Sequence, residues 1–108
     1  MKSGSFAYIW QYTIDLSLES QFLAAYRPDG DWAKLFSRNA NYIKTELLQD
    51  SNQKDQYVTV DYWTSKSDRD LFRVKYSEEF EELDERCETF TKKEVFIGDY
   101  TILKSSAN

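Results

Sequence analysis

The chain predicts an α+β fold, a ferredoxin-like βαββαβ sandwich with a four-stranded antiparallel sheet, and three observations predict it. Four stretches alternate with period two, two helical stretches between them are each broken once, and the two halves repeat the same order. The 108 residues fit a single domain.

Phe6, Tyr8, Trp10, Tyr12 and Ile14 occupy every second position of the first stretch, which makes a strand with one heavily aromatic face. Ser17 is placed to cap the helix that follows, where Phe22, Leu23 and Tyr26 recur at helical spacing until Pro28-Asp29-Gly30 breaks it. A second short helix starts near Asp31 with Trp32, Leu35 and Phe36 on its apolar side, and Asn39 and Asn41 close it. Tyr42 to Gln49 reads as a strand. The polar run Asp50 to Gln56 is a hairpin connection into Tyr57–Trp63, whose Tyr57, Thr59, Asp61 and Trp63 share a face opposite Val58, Val60 and Tyr62.

Ser65-Lys66-Ser67-Asp68 has the spacing of a capping box and opens a helix with Leu71, Phe72 and Tyr76. The chain breaks at Ser77 into a longer helix with Phe80, Leu83, Cys87 and Phe90 on one stripe, and Glu94 to Leu103 alternates as a fourth strand. Each half carries a Tyr and then an aromatic-x-x-Leu pair: Tyr26 with Trp32 and Leu35, Tyr76 with Phe80 and Leu83. The domain is expected to span residues 6–103, with residues 1–5 and 104–108 as tails.

Composition narrows the chemistry. There is no His and one Cys, so neither a histidine-based triad nor a histidine-ligated metal site can be assembled, and no intrachain disulfide forms. With no signal-like segment, the expected location is cytoplasmic. A net charge of -5 and the lack of any membrane-length apolar run argue against nucleic-acid and membrane partners. The strand Tyr57–Trp63 also lacks the Lys/Arg-Gly-aromatic signature of RNA-recognition sheets.

Neither face of the sheet is convincingly polar, so a lone subunit would present apolar sheet to water, and a homodimer through the sheet is expected. Trp10, Tyr12 and Trp63 are candidate pocket aromatics, because an indole N–H or phenol O–H needs a polar partner when buried; ordinary core packing is the competing explanation. Asp61, in mid-strand, is a candidate general base, with a structural pairing to Lys44 or Arg73 as the alternative. Glu46 is open to the same two readings. Phe72 and Tyr76 are expected to face the sheet and either line the cavity or fill it, while Cys87 is expected as a small buried hydrophobe. The acidic run Glu78 to Glu88 reads as a solvated helix face.

The segments Gly30-Asp31-Trp32-Ala33-Lys34-Leu35-Phe36, Tyr42 to Asp50, Asp61-Tyr62-Trp63-Thr64-Ser65 and Leu83 to Glu88 resemble the dimeric α/β-barrel proteins grouped as antibiotic-biosynthesis monooxygenases, in particular an uncharacterised branch of that group. The resemblance runs from about Phe6 to Leu103. It implies a homodimer whose sheets pack into a barrel, and a ligand cavity between sheet and helices in each subunit. It also implies oxidation of a small, flat phenol- or anthrone-like molecule by oxygen without metal, flavin or other cofactor. The positions where haem-degrading relatives carry Asn, Trp and His fall near Trp10, Phe72 and Glu82, which argues against haem degradation. Under the oxygenase reading Asp61 or Tyr12 handles the proton, and Trp10, Trp63, Phe72 and Tyr76 hold the substrate. The alternative is a non-catalytic dimeric protein of the same fold that binds a small apolar or aromatic ligand, or serves a structural role.

Overall fold

A computed structural model describes residues 5–103; the expected tails, apart from Ser5, lie outside the described residues. The strands are β1 (Phe6–Ile14), β2 (Tyr42–Gln49), β3 (Gln56–Trp63) and β4 (Thr91–Thr101). The helices are α1 (Glu19–Tyr26), α2 (Asp31–Phe36), α3 (Lys66–Lys75) and α4 (Ser77–Glu88). The strands form one antiparallel sheet in the order β2-β3-β1-β4, the βαββαβ sandwich expected.

Two local expectations differ. Ser17 does not cap α1: the Asp15 carboxylate accepts from the Ser17 N–H at 3.0 Å and from its hydroxyl at 2.6 Å, which starts a 3-10 turn at Leu16–Leu18 instead. An Asp two residues before a turn competes well for free N–H groups, and α1 then follows with no side-chain cap. β4 begins at Thr91, three residues before the expected Glu94, because Ile14 on β1 already pairs with Thr91. The other breaks fall as expected. Ser65 caps α3 by accepting from the Asp68 N–H at 3.2 Å, and its hydroxyl donates to the Asp68 carboxylate at 2.8 Å.

The register sets the faces. Tyr8 pairs with Asp61, Trp10 with Thr59, and Tyr12 with Tyr57, all on the helix side. On the opposite side Ile9 meets Val60 and Gln11 meets Val58. A register shift follows Ile9 in the β1–β4 ladder, beside Gly98, whose φ of +153° is a conformation that side chains with a Cβ adopt only under strain.

The core is built of rings. Phe22 from α1 stacks on Tyr26 at 4.5 Å and touches Tyr57 at 4.8 Å, while Phe36 from α2 meets Trp63 at 5.5 Å and Phe72 at 5.4 Å. Gly30 lets α1 and α2 meet closely, since a Cβ there would lie 2.6 Å from the Ala24 carbonyl oxygen. The repeated aromatic positions of the two halves meet in the middle: Trp32 and Phe80 pack edge to face at 4.9 Å. No helix among the described residues is long and apolar enough to cross a membrane.

Candidate functional site

The sheet supplies the floor of a cavity of about 290 Å³, and α1 to α4 supply its walls. Strand alternation alone brings Trp10 and Tyr12 from β1, and Thr59 and Asp61 from β3, onto this side. Thr45 of β2 joins them because a bulge after Tyr42 puts it directly across from Asp61. From the helices come the rings of Tyr26, Trp32, Phe36 and Phe80. Two arginines of α3, Arg69 and Arg73, and two carboxylates, Asp84 and Glu94, complete the lining.

Asp61 is the chemical centre of this arrangement. Burial pushes its carboxyl up to about 6, against the opposing effects of a hydrogen bond from Thr45 and the charge of Arg69. The Thr45 hydroxyl donates to Asp61 Oδ1 at 2.6 Å. Since that uses its only proton, the 2.6 Å contact between Tyr42 and Thr45 has the Tyr42 hydroxyl as donor, and a chain runs from Tyr42 through Thr45 to Asp61. The expected structural partners are not the ones found. Lys44 lies on the other face and pairs with Glu46 at 3.5 Å, and no Arg73 ion pair is present among the described residues. Glu46 also accepts from Tyr62 at 2.8 Å on that outer face, so it is no partner for the cavity.

Among the described residues two buried polar atoms have no hydrogen-bond partner of good geometry, Trp32 Nε1 beside the Cys87 thiol and Thr59 Oγ1 beside the Tyr12 phenol. Both residues line this cavity, at 7% and 3% exposure. Leaving such groups unpaired costs about 1–3 kcal/mol each. Burial raises the Tyr12 phenol well above its ordinary value, with the nearby Thr59 hydroxyl opposing, so Tyr12 stays protonated at any physiological pH. Burial also raises Glu94, helped by the like charges of Asp84 and Glu88. Cys87 is fully buried with its thiol pushed up to about 11 by burial, which keeps it a thiol, as its stripe of apolar neighbours implied.

Of the residues singled out in the sequence, the cavity gathers Trp10, Tyr12 and Asp61. Trp63, Phe72 and Tyr76 do not line it. Trp63 and Phe72 are each 1% exposed and pack on each other at 5.3 Å behind Phe36, and Tyr76 lies on the far side of Phe72 at 4.9 Å. Phe36, which lines the cavity, packs on both Trp63 and Phe72. Trp32, Phe36, Thr45, Thr59, Arg69, Arg73 and Phe80 are among the lining residues that the sequence did not single out for the site. Thr59 was legible as Asp61's neighbour on the same face; Thr45 was not, because its alignment depends on a bulge.

No protein-family model and no curated protein matches the chain. Solved structures do match it over nearly its full length. A variant of SnoaB, a cofactor-independent oxygenase from Streptomyces nogalater, superposes with a TM-score of 0.73 at 15% identity, covering 98% of this chain and 100% of that one. A candidate antibiotic biosynthesis monooxygenase from Bordetella bronchiseptica gives 0.72 at 16% identity, covering 94% and 99%. A conserved protein from Methanosarcina mazei gives 0.69 at 11%, covering 92% and 93%. At these identities the likeness establishes a fold shared with antibiotic biosynthesis monooxygenases; the chemistry has to be argued from the cavity.

Proposed function

We propose that the protein is a cofactor-independent monooxygenase acting on a small aromatic phenol- or anthrone-like substrate in this cavity. The observation that supports it most is the convergence, on one partly open cavity walled by aromatic rings, of a carboxyl pushed up to about 6 and two buried polar side chains without a hydrogen-bond partner of good geometry. The same fold in SnoaB, a cofactor-independent oxygenase, adds support.

The residues divide the work as follows. Trp10, Phe36 and Phe80 hold a flat ring system. Asp61, ionised above about pH 6, takes a proton from the substrate, and the negative charge left on the substrate oxygen is held by Trp32 Nε1–H and the Thr59 hydroxyl. The electron-rich anion gives an electron to molecular oxygen, and the two radicals join as a peroxide. Asp61 returns its proton to that peroxide, and loss of water leaves a carbonyl where a CH₂ stood. The balance is CH₂ + O₂ → C=O + H₂O, with all electrons supplied by the substrate. Tyr12, held protonated, donates a hydrogen bond to the same oxygens. Trp63, Phe72 and Tyr76 support the wall by fixing α2 and α3 against the sheet.

The assembly is a homodimer through the outer sheet face. Ile9, Val58, Val60 and Val95 lie on that face with Leu48 and Tyr100, the last two about half exposed. A second copy buries this patch, and sedimentation at micromolar concentration is expected to give twice the 12.8 kDa chain mass.

Oxygen consumption in the presence of anthrone tests the reaction. The wild-type protein is expected to speed uptake over the buffer rate and to yield anthraquinone, with Asp61→Asn slowing it by about 10²–10⁴-fold. Uptake at the buffer rate across a panel of phenols and anthrones, despite binding of those compounds, would leave the cavity as a binding site only.

A further inference from the structure

Four of the chain's 14 lysines and arginines pair with carboxylates among the described residues, and of the others Arg69 and Arg73 line the cavity. Arg38, Lys44, Lys66 and Arg86 each lie within 3.5 Å of a carboxylate, on Glu79, Glu46, Asp99 and Asp31 respectively. Arg69 and Arg73 do not. Neither side chain makes a hydrogen bond or an ion pair among the described residues, although the chain carries 19 acidic residues. Both are half-buried rather than splayed into water, and both line the cavity.

Aromatic rings hold them there. The Arg69 guanidinium carbon lies 4.5 Å from the centre of the Tyr8 ring, and that of Arg73 lies 3.9 Å from the centre of Phe80. Tyr8 is itself fixed by its hydroxyl, which donates to Asp70 of α3 at 3.2 Å, and Phe80 by its edge-to-face contact with Trp32. Spaced four apart, the two arginines lie on one side of α3, a single helical turn from each other. Each guanidinium has five N–H donors. Stacking leaves those donors unused, so a planar anion reaching the cavity finds two cations that no carboxylate pairs with among the described residues, the charge of Arg69 acting on Asp61 without contact.

We propose that Arg69 and Arg73 form a carboxylate-binding subsite, so that the cavity's ligand is an aromatic acid: a flat ring system over Trp10 and Phe80 with a carboxylate held between the two guanidiniums. The inference rests on the cavity being the ligand site, as proposed above, and narrows its substrate from any phenol to one that carries an anionic group. Lysines in the same places would give charge without the planar, bidentate donor pattern.

Calorimetric titration with a matched pair of probes tests it: hydroxynaphthoate, which carries the carboxylate, and naphthol, which does not. Hydroxynaphthoate is expected to bind at least about tenfold more tightly, the equivalent of about 1.4 kcal/mol. Arg69→Gln and Arg73→Gln are each expected to shrink that ratio, and the double substitution to bring it to about one, with circular dichroism showing each variant folded. Rising salt is expected to weaken hydroxynaphthoate binding alone. Equal binding of the two probes to the wild-type protein would overturn the subsite while keeping the cavity as a phenol site, and so would an acid preference that survives the double substitution. Arginine-dependent acid binding without oxygen uptake supports the subsite and counts against the oxygenase reaction. Failure of both probes to bind would overturn subsite and cavity together.

Discussion

The first half of the chain, β1 to β2, and the second, β3 to β4, repeat one order of elements and use it for different ends. α1 and α2 bury Phe22, Ala25, Tyr26, Trp32, Ala33, Leu35 and Phe36, so nearly everything they have that is apolar goes into core. α3 and α4 are longer yet bury only Phe72, Leu83 and Cys87. What α3 and α4 turn to the interior instead is Arg69, Arg73, Phe80 and Asp84 around an open space. The first half therefore does most of the anchoring and lends the site rings, while every charged group lining the site comes from the second, a division that a symmetric repeat does not announce. The strands are less divided: β1 contributes Tyr8, Tyr12 and Ile14 to the core and β3 contributes Tyr57 and Trp63, but β3 also places a carboxyl with raised pKa in the middle of the sheet.

That difference is most sharply tested at Asp61. If the second half trades stability for chemistry, Asp61→Asn should lower turnover by about 10²–10⁴-fold and at the same time raise stability. The sign follows from the proton balance. Asp61 titrates near 3.8 when unfolded and at about 6 when folded, so between these pH values the folded state holds more of the proton and stability falls as pH rises. Above about pH 6 that loss is complete, on the order of 2 kcal/mol for a group that retains some contact with the cavity. Urea denaturation at pH 4 and pH 8 checks it: the wild-type protein is expected to lose stability across the interval relative to Asp61→Asn. The rate is expected to rise with pH through about 6 and then level. The groups set around Asp61 are Tyr42 and Thr45 from β2, Tyr8 and Tyr12 from β1, Arg69 and Arg73 from α3, Asp84 from α4 and Glu94 from β4; of these, Thr45 by its hydrogen bond and Arg69 by its charge oppose the rise.

A paired truncation sharpens the comparison from the other side. Phe22, fully buried against four aromatic neighbours, is expected to cost about 3–5 kcal/mol as Phe22→Ala, while Phe80→Ala at a half-buried cavity wall is expected to cost about 1–2 kcal/mol. Thermal unfolding measures both. Ligand binding should rank them in reverse among molecules that remain folded, because Phe80 carries Arg73 and braces Trp32. Equal stability losses would mean that both halves contribute to the core alike.

Periodicity made the elements legible, since an aromatic every second residue from Phe6 to Tyr12 admits one reading and the tandem breaks at Gly30 and Ser77 admit another. The faces follow from the same alternation, which puts Asp61 with Thr59 and Trp63. Whether a ring on that face lines a cavity or packs behind it was not legible. Trp10 and Trp63 look alike in sequence, and what separates them is Phe36, brought over Trp63 by a helix elsewhere in the chain. Thr45 was hidden for a related reason. Strict alternation from Tyr42 would have turned it outward, and the bulge that turns it inward leaves no mark in residue type.

The chain from Tyr42 through Thr45 to Asp61 gives the smallest of the expected effects. Thr45→Val removes the hydrogen bond that holds the Asp61 carboxyl down, so the pH at which the rate rises should move upward by as much as about one unit. Tyr42→Phe leaves that bond in place and removes only the donor behind it, so its shift should have the same sign and be smaller, with the rate above pH 8 changed by roughly twofold to tenfold. Plain loss of packing would lower the rate without moving the pH profile, and in that case β2 would belong with the anchoring half. A displaced profile in both variants would instead mean that a strand of the first half sets the acidity of a group in the second. The division between the halves then runs through the helices and stops at the sheet, where register lets β2 reach across to β3.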